Sequence, residues 1–343
     1  MGSRRARGLV FGSPLLFADF FVVERPENHM KCPNCNAQAQ RYGRNRKGQQ
    51  RFHCLACNKT FIEPNPKPLG KMILAEDKAL MCLNLLVEGN SVRSTERITG
   101  VHRDTILDLL LLVGDRCERL MEDRIKGLAV RDVQCDEIWG FIGMKQKIKN
   151  YLGIDSNELG DAYCFIAIER HTKLILARHL GQRNRPDTVA FTEKLARATS
   201  GSFQVSTDGF AAYRDAVVYS LGGQYVDFAQ LVKVYGATRE GEQRYSPAEV
   251  IDCVKVPIHG DPDPARICTS HIERQNLTVR MSMRRMTRLT NAFSKKWLNH
   301  KAAYALYFAH YNFCRVHSSL RVTPAMESGI TEHVWSLAEL VTG

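Results

Sequence analysis

The chain reads as an α/β domain on a mixed five-stranded sheet, preceded by a small metal-binding ribbon and an all-α module. Three observations predict that order. Four cysteines stand in two C-x-x-C pairs near the start. A stretch of helical periodicity follows them. Strand-like runs alternating with helices then occupy most of the remainder. With 343 residues there is chain enough for two or three domains, and a 44% hydrophobic share supports sizeable cores.

Residues 1–29 carry Arg4, Arg5 and Arg7 ahead of an apolar run from Leu9 to Val23, a loose imitation of a targeting peptide. Pro14 and Asp19 interrupt that run and no A-x-A cleavage site follows, so a disordered extension is expected instead. The ribbon covers 30–66. Cys32-Pro33-Asn34-Cys35 and Cys54-Leu55-Ala56-Cys57 are separated by eighteen residues, a spacing that can bring four thiolates tetrahedrally to one zinc. So short a segment buries too little apolar surface to fold alone, and the metal would supply the missing stability. Eleven cysteines, an odd number, fit a reducing cytosol better than a disulfide framework. From Gln40 to Lys59 there are six Lys or Arg and no acid, with Tyr42, Phe52 and Phe61 interleaved, which suggests a phosphate-binding surface. Pro64, Pro66 and Pro68 predict a stiff linker.

Residues 67–126 read as helical. One amphipathic helix is expected over 75–88, broken by Gly89-Asn90. Ser91 would cap a second helix carrying Val92, Thr95 and Ile98, Gly100 would turn the chain, and a third helix is expected over 103–113, buried through Ile106, Leu107 and Leu110. Two short helices joined by a glycine turn match a helix-turn-helix, with His102, Arg103, Asp104 and Thr105 facing base edges in the major groove. An ordinary helical hairpin is the plainer alternative.

Residues 127–326 form the α/β domain. Strands are expected at 130–142, 163–169, 173–180, 203–207 and 225–232, with helices at 187–199 and around Tyr213; the sheet starts antiparallel and becomes parallel. The polar segment 236–268, with Pro247, Pro257, Pro262 and Pro264, reads as a long loop or insertion. Within it Cys253, His259 and Cys268, with His271, form a weak and irregular second zinc pattern. Helix returns at His271, and 327–343 is a tail. No run of 18 apolar residues predicts a membrane span.

Three acids stand out. Asp136 lies inside an expected central strand, where a buried carboxylate needs a partner. Asp208 follows strand 203–207 at its carboxyl end, where open α/β sheets place ligands. Glu273 is the one acid among eleven Lys and Arg from Arg266 to Arg321. Converging carboxylates would hold two Mg²⁺ for phosphoryl chemistry. Each acid has an ordinary alternative: an edge-strand acid, a turn dipeptide Asp208-Gly209, and a capping box Ser270-His271-Ile272-Glu273. On a helical projection, Ile272, Val279, Met283 and Met286 make an apolar stripe, Arg274, Arg280, Arg284, Arg285 and Arg288 face outward, and Glu273 sits on the boundary.

Taken together, Cys135-Asp136-Glu137-Ile138-Trp139-Gly140, Thr207-Asp208-Gly209 and His271-Ile272-Glu273-Arg274-Gln275-Asn276 resemble the three motifs of DDE transposases of bacterial insertion sequences, the insertion-sequence-one family. The resemblance runs from the ribbon to His317-Ser318-Ser319-Leu320-Arg321-Val322-Thr323-Pro324. It implies a ribonuclease-H-like catalytic domain behind a zinc ribbon and helix-turn-helix. It also implies Asp136, Asp208 and Glu273 as ligands of two Mg²⁺ (or Mn²⁺), and Arg280 on the DNA. Glu137 matches the motif too, but the next residue on a strand points to the opposite face, so it is assigned no metal. The implied activity is hydrolysis at transposon ends to free a 3′-OH, then joining of that hydroxyl to target DNA, by a cytoplasmic, nucleoid-associated bacterial protein. Synapsis of two ends calls for at least a dimer. The net charge of +12 suits a DNA partner; His102, Arg103, Thr105, Arg280, Arg284 and Arg288 are the expected contacts. Two other readings share these features: a non-catalytic, sequence-specific DNA-binding regulator, and a nuclease without strand transfer.

Overall fold

The ribbon is built from strands β1 (Met30–Lys31), β2 (Gln38–Arg44), β3 (Gln50–His53) and β4 (Thr60–Ile62), antiparallel in that order. The structure is a computed structural model describing residues 30–46, 48–62, 68–223, 225–236, 249–288 and 290–342. The expected extension 1–29, Pro64 and Pro66 of the linker, and Pro247 lie outside them. The chain divides into two compact units, Met1–Pro66 and Lys67–Gly343. In the ribbon each C-x-x-C is followed by an asparagine in the left-handed region, Asn36 at φ 57° and Asn58 at φ 54°, a conformation asparagine tolerates better than most residues. Each turn is closed by a backbone bond, Cys32 N to Ala37 O and Cys54 N to Lys59 O. Phe52 is buried and stacked on Phe61 at 5.8 Å, so these two rings form the ribbon's core and only Tyr42 stays exposed among the three interleaved aromatics.

The second unit opens with helices α1 (Glu76–Val87), α2 (Val92–Thr99) and α3 (Arg103–Arg124). Ser91 caps α2 by accepting from Ser94 N at 3.0 Å, and Gly100 ends it at φ 71°. Helix α3 is twice its expected length. Gly114 does not end it, because that glycine is a contact point: a Cβ there would lie 2.6 Å from Ala302 Cβ. Strand β5 (Leu128–Ala129) leads to β6 (Asp132–Ile142), then α4 (Gln146–Tyr151), β7 (Gly160–Glu169), β8 (Ile175–Gly181) and α5 (Arg185–Ala198). After β9 (Thr199–Ser200), which pairs with β5, come β10 (Phe203–Thr207), α6 (Ala212–Leu221), β11 (Val226–Tyr235) and β12 (Val250–His259). Helices α7 (Ser270–Ser282), α8 (Trp297–Ala309), α9 (Pro324–Glu327) and α10 (Leu337–Thr342) complete the chain.

The sheet has six strands, in the order β12-β11-β10-β6-β7-β8, not the five expected. β6, β7 and β8 run antiparallel, while β10 and β11 are parallel to β6 and to each other. The sixth strand is part of the segment expected to be a loop. Its Pro257 is tolerated because β12 is an edge strand pairing only with β11, and a register shift lies beside it. Phe165 on β7 packs on Phe191 of α5 and Tyr213 of α6, which cover one face; α7 docks on the other. Helix α3 packs along α8, so the helices of 67–126 share one apolar core with the α/β elements and do not stand apart. The expected tail does likewise: Leu337, Leu340 and Val341 are buried, and Arg116 donates to the carbonyls of Val341 and Pro68. No helix among the described residues is long and apolar enough to cross a membrane.

Candidate metal centres and nucleic-acid surfaces

In the ribbon the four sulfurs of Cys32, Cys35, Cys54 and Cys57 lie within 4.8 Å of one another. Cys32 Sγ is 3.6 Å from Cys57 Sγ, and Cys35 Sγ is 3.4 Å from Cys54 Sγ. A tetrahedral zinc with bonds of about 2.3 Å spaces its sulfurs by about 3.8 Å, so the set fits that ion. Burial pushes the Cys32 thiol up, but backbone hydrogen bonds with Asn34 and Cys35 and contacts with the Cys57 and Cys54 sulfurs lower it, while the same crowding of sulfurs raises Cys35. The weak second pattern does not assemble: among the described residues no three of Cys253, His259, Cys268 and His271 converge.

The acidic site is made by register. Thr207 of β10 lies beside Cys135 of β6 in parallel pairing, and β10 then ends. The next residues are Asp208 and Asp136, at the carboxyl edge of the sheet. Beyond that point, among the described residues, no strand pairs with β6 on the β10 side until Ile142 bridges Ser294. Asp136, Glu137 and Asp208 each place a carboxylate oxygen within 4.8 Å of the others.

This corrects the treatment of Glu137. The alternation of faces holds: Asp136 sits opposite Ile166 and bonds Asn276 of α7 on one face, whereas Glu137 sits opposite Phe165 on the face of α5 and α6. Alternation does not keep its carboxylate away from the other two, because a long side chain ends well beyond the point where its Cβ leaves the strand. Its side chain is only 3% exposed, and buried Oε1 has no hydrogen-bond partner.

Neighbouring side chains hold the cluster. Asn276 Nδ2 donates to Asp136 Oδ2 at 2.7 Å. Asp208 Oδ1 accepts from Phe210 N at 3.0 Å, and buried Gln230 pins that turn by donating to the carbonyls of Asp208 and Phe210. Arg183 reaches Glu137 Oε2 at 3.1 Å and Asp208 Oδ2 at 3.5 Å, with its guanidinium over the Phe210 ring at 4.1 Å. Burial, then the Asp208 and Glu137 charges, push Asp136 up to about 7; burial and Asp208 also raise Glu137. Oxygen-only donors with an unpartnered buried carboxylate atom fit a hard divalent cation such as Mg²⁺.

Glu273 stands next to this group but outside it. It does not bond back to the Ser270 amide, so the capping-box alternative fails as well. Its Oε1 accepts from Lys233 Nζ at 2.5 Å and Thr269 Oγ1 at 2.6 Å. The start of α7 is capped instead by buried Gln134 of β6, whose Oε1 accepts from His271 N at 3.0 Å and Ile272 N at 3.1 Å. That cap ties α7 to the strand bearing Asp136. Gln134, Arg183, Gln230 and Lys233 were missed in the sequence. Only Gln134 and Gln230 carry a signal there, as amides inside apolar strands.

The expected DNA contacts fall into separate places. His102 and Arg103 are exposed and Thr105 half-buried at the start of α3. Arg103 lines a cleft of about 1000 Å³ with Arg93, Arg284 and Lys295. Arg280 and Arg288 line a second groove beside Trp139. Arg280 is half-buried, however, and donates to the carbonyls of Trp139 and Met286. Helix α7 stops at Ser282, before the end of the projected stripe, and a 3₁₀ turn follows over Arg284–Met286. That break turns Arg285 inward, where it donates to Asn299 O at 2.8 Å, and leaves Arg284 and Arg288 exposed.

No family model matches the chain, and no curated protein does. Among solved structures it is similar to an endonuclease V from Bacillus subtilis, at 13% identity over 58% of this chain and 87% of that one. The TM-score of that likeness is 0.20, too low to carry an argument.

Proposed function

We propose that the chain is a DDE-type transposase: a metal-dependent DNA nuclease and strand transferase acting on transposon ends and target DNA as an oligomer. The observation that carries this reading is the meeting of Asp136 and Asp208, from adjacent parallel strands, in one oxygen cluster at the sheet's carboxyl edge. The strand order supports a ribonuclease-H-like reading of the domain, with three antiparallel strands followed by two parallel to the first. Two bound Mg²⁺ would activate the attacking oxygen and stabilise the leaving one. Asp136 and Asp208 would hold them, Asn276 would orient Asp136, and Gln230 would keep the Asp208 turn rigid. Glu273, released from Lys233, would join as the motif resemblance implies. Exposed Arg103, Arg284 and Arg288 would take DNA phosphates, and the ribbon, holding one structural Zn²⁺, would add a further basic surface.

The test is a metal-dependent joining assay on DNA carrying the element's ends. Asp136→Asn and Asp208→Asn should cut cleavage by at least ~10³ while end binding stays within a few-fold of wild type. Retained cleavage in either variant refutes the assignment. Binding without any cleavage in the wild type favours the regulator, and cleavage without joining the plain nuclease.

A further inference from the structure

The acids of the cluster are not satisfied as the chain stands. Arg183 serves Glu137 Oε2 and Asp208 Oδ2, Asn276 serves Asp136 Oδ2, and Glu137 Oε1 is left buried with no partner. The Tyr213 hydroxyl lies beside the Glu137 carboxyl and offers it a weak donor, with no hydrogen bond of normal geometry between them. A buried carboxylate oxygen without a donor is costly, and such an atom calls for a ligand. Three carboxylates within 4.8 Å repel one another, a repulsion that a bound proton or a positive charge among them relieves. Arg183 supplies only part of that charge, because its side chain is 40% exposed and its contact to Asp208 is long at 3.5 Å. Lys233 is already engaged with Glu273.

Resting on the metal-dependent reading above, we propose that Glu137 is itself a ligand of the divalent ion, together with Asp136 and Asp208, and that Arg183 is the side chain the ion displaces. Glu137 adds a donor to the set that the motif implies. Glu273 lies across Lys233 from the cluster, while Glu137 already points into it. Arg183 lies between β8 and α5, with its guanidinium over the Phe210 ring. Freed from Glu137 and Asp208, it would remain at the mouth of the site, where a scissile phosphate would arrive, and a planar guanidinium suits that group.

The experiment measures Mn²⁺ binding to the full, zinc-loaded chain without DNA, by calorimetry and by the electron-spin resonance of bound Mn²⁺. Glu137→Gln keeps the shape of the side chain and removes its charge. It should weaken Mn²⁺ by at least about tenfold, the scale on which even indirect partners of a metal act. Arg183→Gln, which removes the competing cation, should bind Mn²⁺ more tightly. Wild-type affinity in Glu137→Gln, with binding lost in Asp136→Asn, overturns the role of Glu137 and leaves the metal-dependent reading standing. Unchanged or weaker binding in Arg183→Gln overturns the exchange. Should Glu137→Gln fail to fold, the arginine variant decides by itself, since it leaves every acid in place. A wild-type chain that binds no Mn²⁺ refutes this proposal and the metal-dependent reading together.

Discussion

Ionised Asp136 costs the protein stability. Its carboxyl is raised from 3.8 to about 7 by burial and by Asp208 and Glu137. Since the folded form binds its proton more tightly than the unfolded form, ionisation penalises folding. The penalty is absent below about pH 4, grows as the pH rises toward 7 and is constant above that. Asp136→Asn should therefore raise the melting temperature of the metal-free chain at pH 8, by no more than about 4 kcal/mol of stability, and the gain should vanish near pH 4. Thermal unfolding across that range checks the sign; a variant less stable than wild type at pH 8 contradicts it. The same residue was legible in the sequence, as an acid within an apolar strand. Glu137 was seen and set aside, because strand alternation describes where a Cβ points and not where a long side chain ends.

Asn276 and Arg280 bond β6 along α7, and one amide holds the helix's first turn to that strand. Gln134 supplies the cap that Ser270 was expected to supply, and it does so from a neighbouring strand. Gln134→Leu would leave two helix amides unpaired, that of Ile272 buried and that of His271 partly so, and should cost about 1–3 kcal/mol. Urea unfolding measures the cost, and hydrogen exchange should localise the loosening to the first turn of α7. Protection there equal to wild type would show that the cap is dispensable. Elements with a strong period of their own were read closely: β10 was expected and found at 203–207, and α1 within a residue at each end. Elements defined by a neighbour were not. Helix α3 continues through Gly114 because α8 needs the close approach, α7 stops at Ser282 despite its periodic stripe, and β12 exists because β11 offers it an edge.

At the scale of the whole molecule, charge and metal divide the work between the two units. Zinc removal should unfold the ribbon and leave the transition of the second unit in place, because among the described residues the ribbon's core is as small as Cys32, Ala39, Phe52 and Cys54. Calorimetry with and without a chelator tests this, and Cys54→Ser should reproduce the chelated form; one transition lost as a whole would contradict it. DNA affinity should fall with salt, and Arg284→Ala or Arg103→Ala should each lower the slope of log affinity against log salt by about one unit. Arg280→Ala should leave that slope unchanged and lower stability instead, since its guanidinium is spent on the carbonyls of Trp139 and Met286. A slope reduced by Arg280→Ala alone would reverse this assignment.

The sequence by itself determined the local and compositional features: the two cysteine knuckles, the order of helices and strands, the excess of positive charge, and acids at strand ends. Each depends on spacing along the chain, which periodicity and residue type express directly. Tertiary structure decided what meets what. Parallel register set Asp208 beside Asp136, and the length of its side chain let Glu137 join them. The β6 amide capped α7, Lys233 took Glu273, and two arginines of one basic stretch turned inward while their neighbours stayed in water. These outcomes depend on distances between residues far apart in the chain. They are settled by the cost of leaving a buried charge or amide unpaired, which no stretch of sequence records on its own.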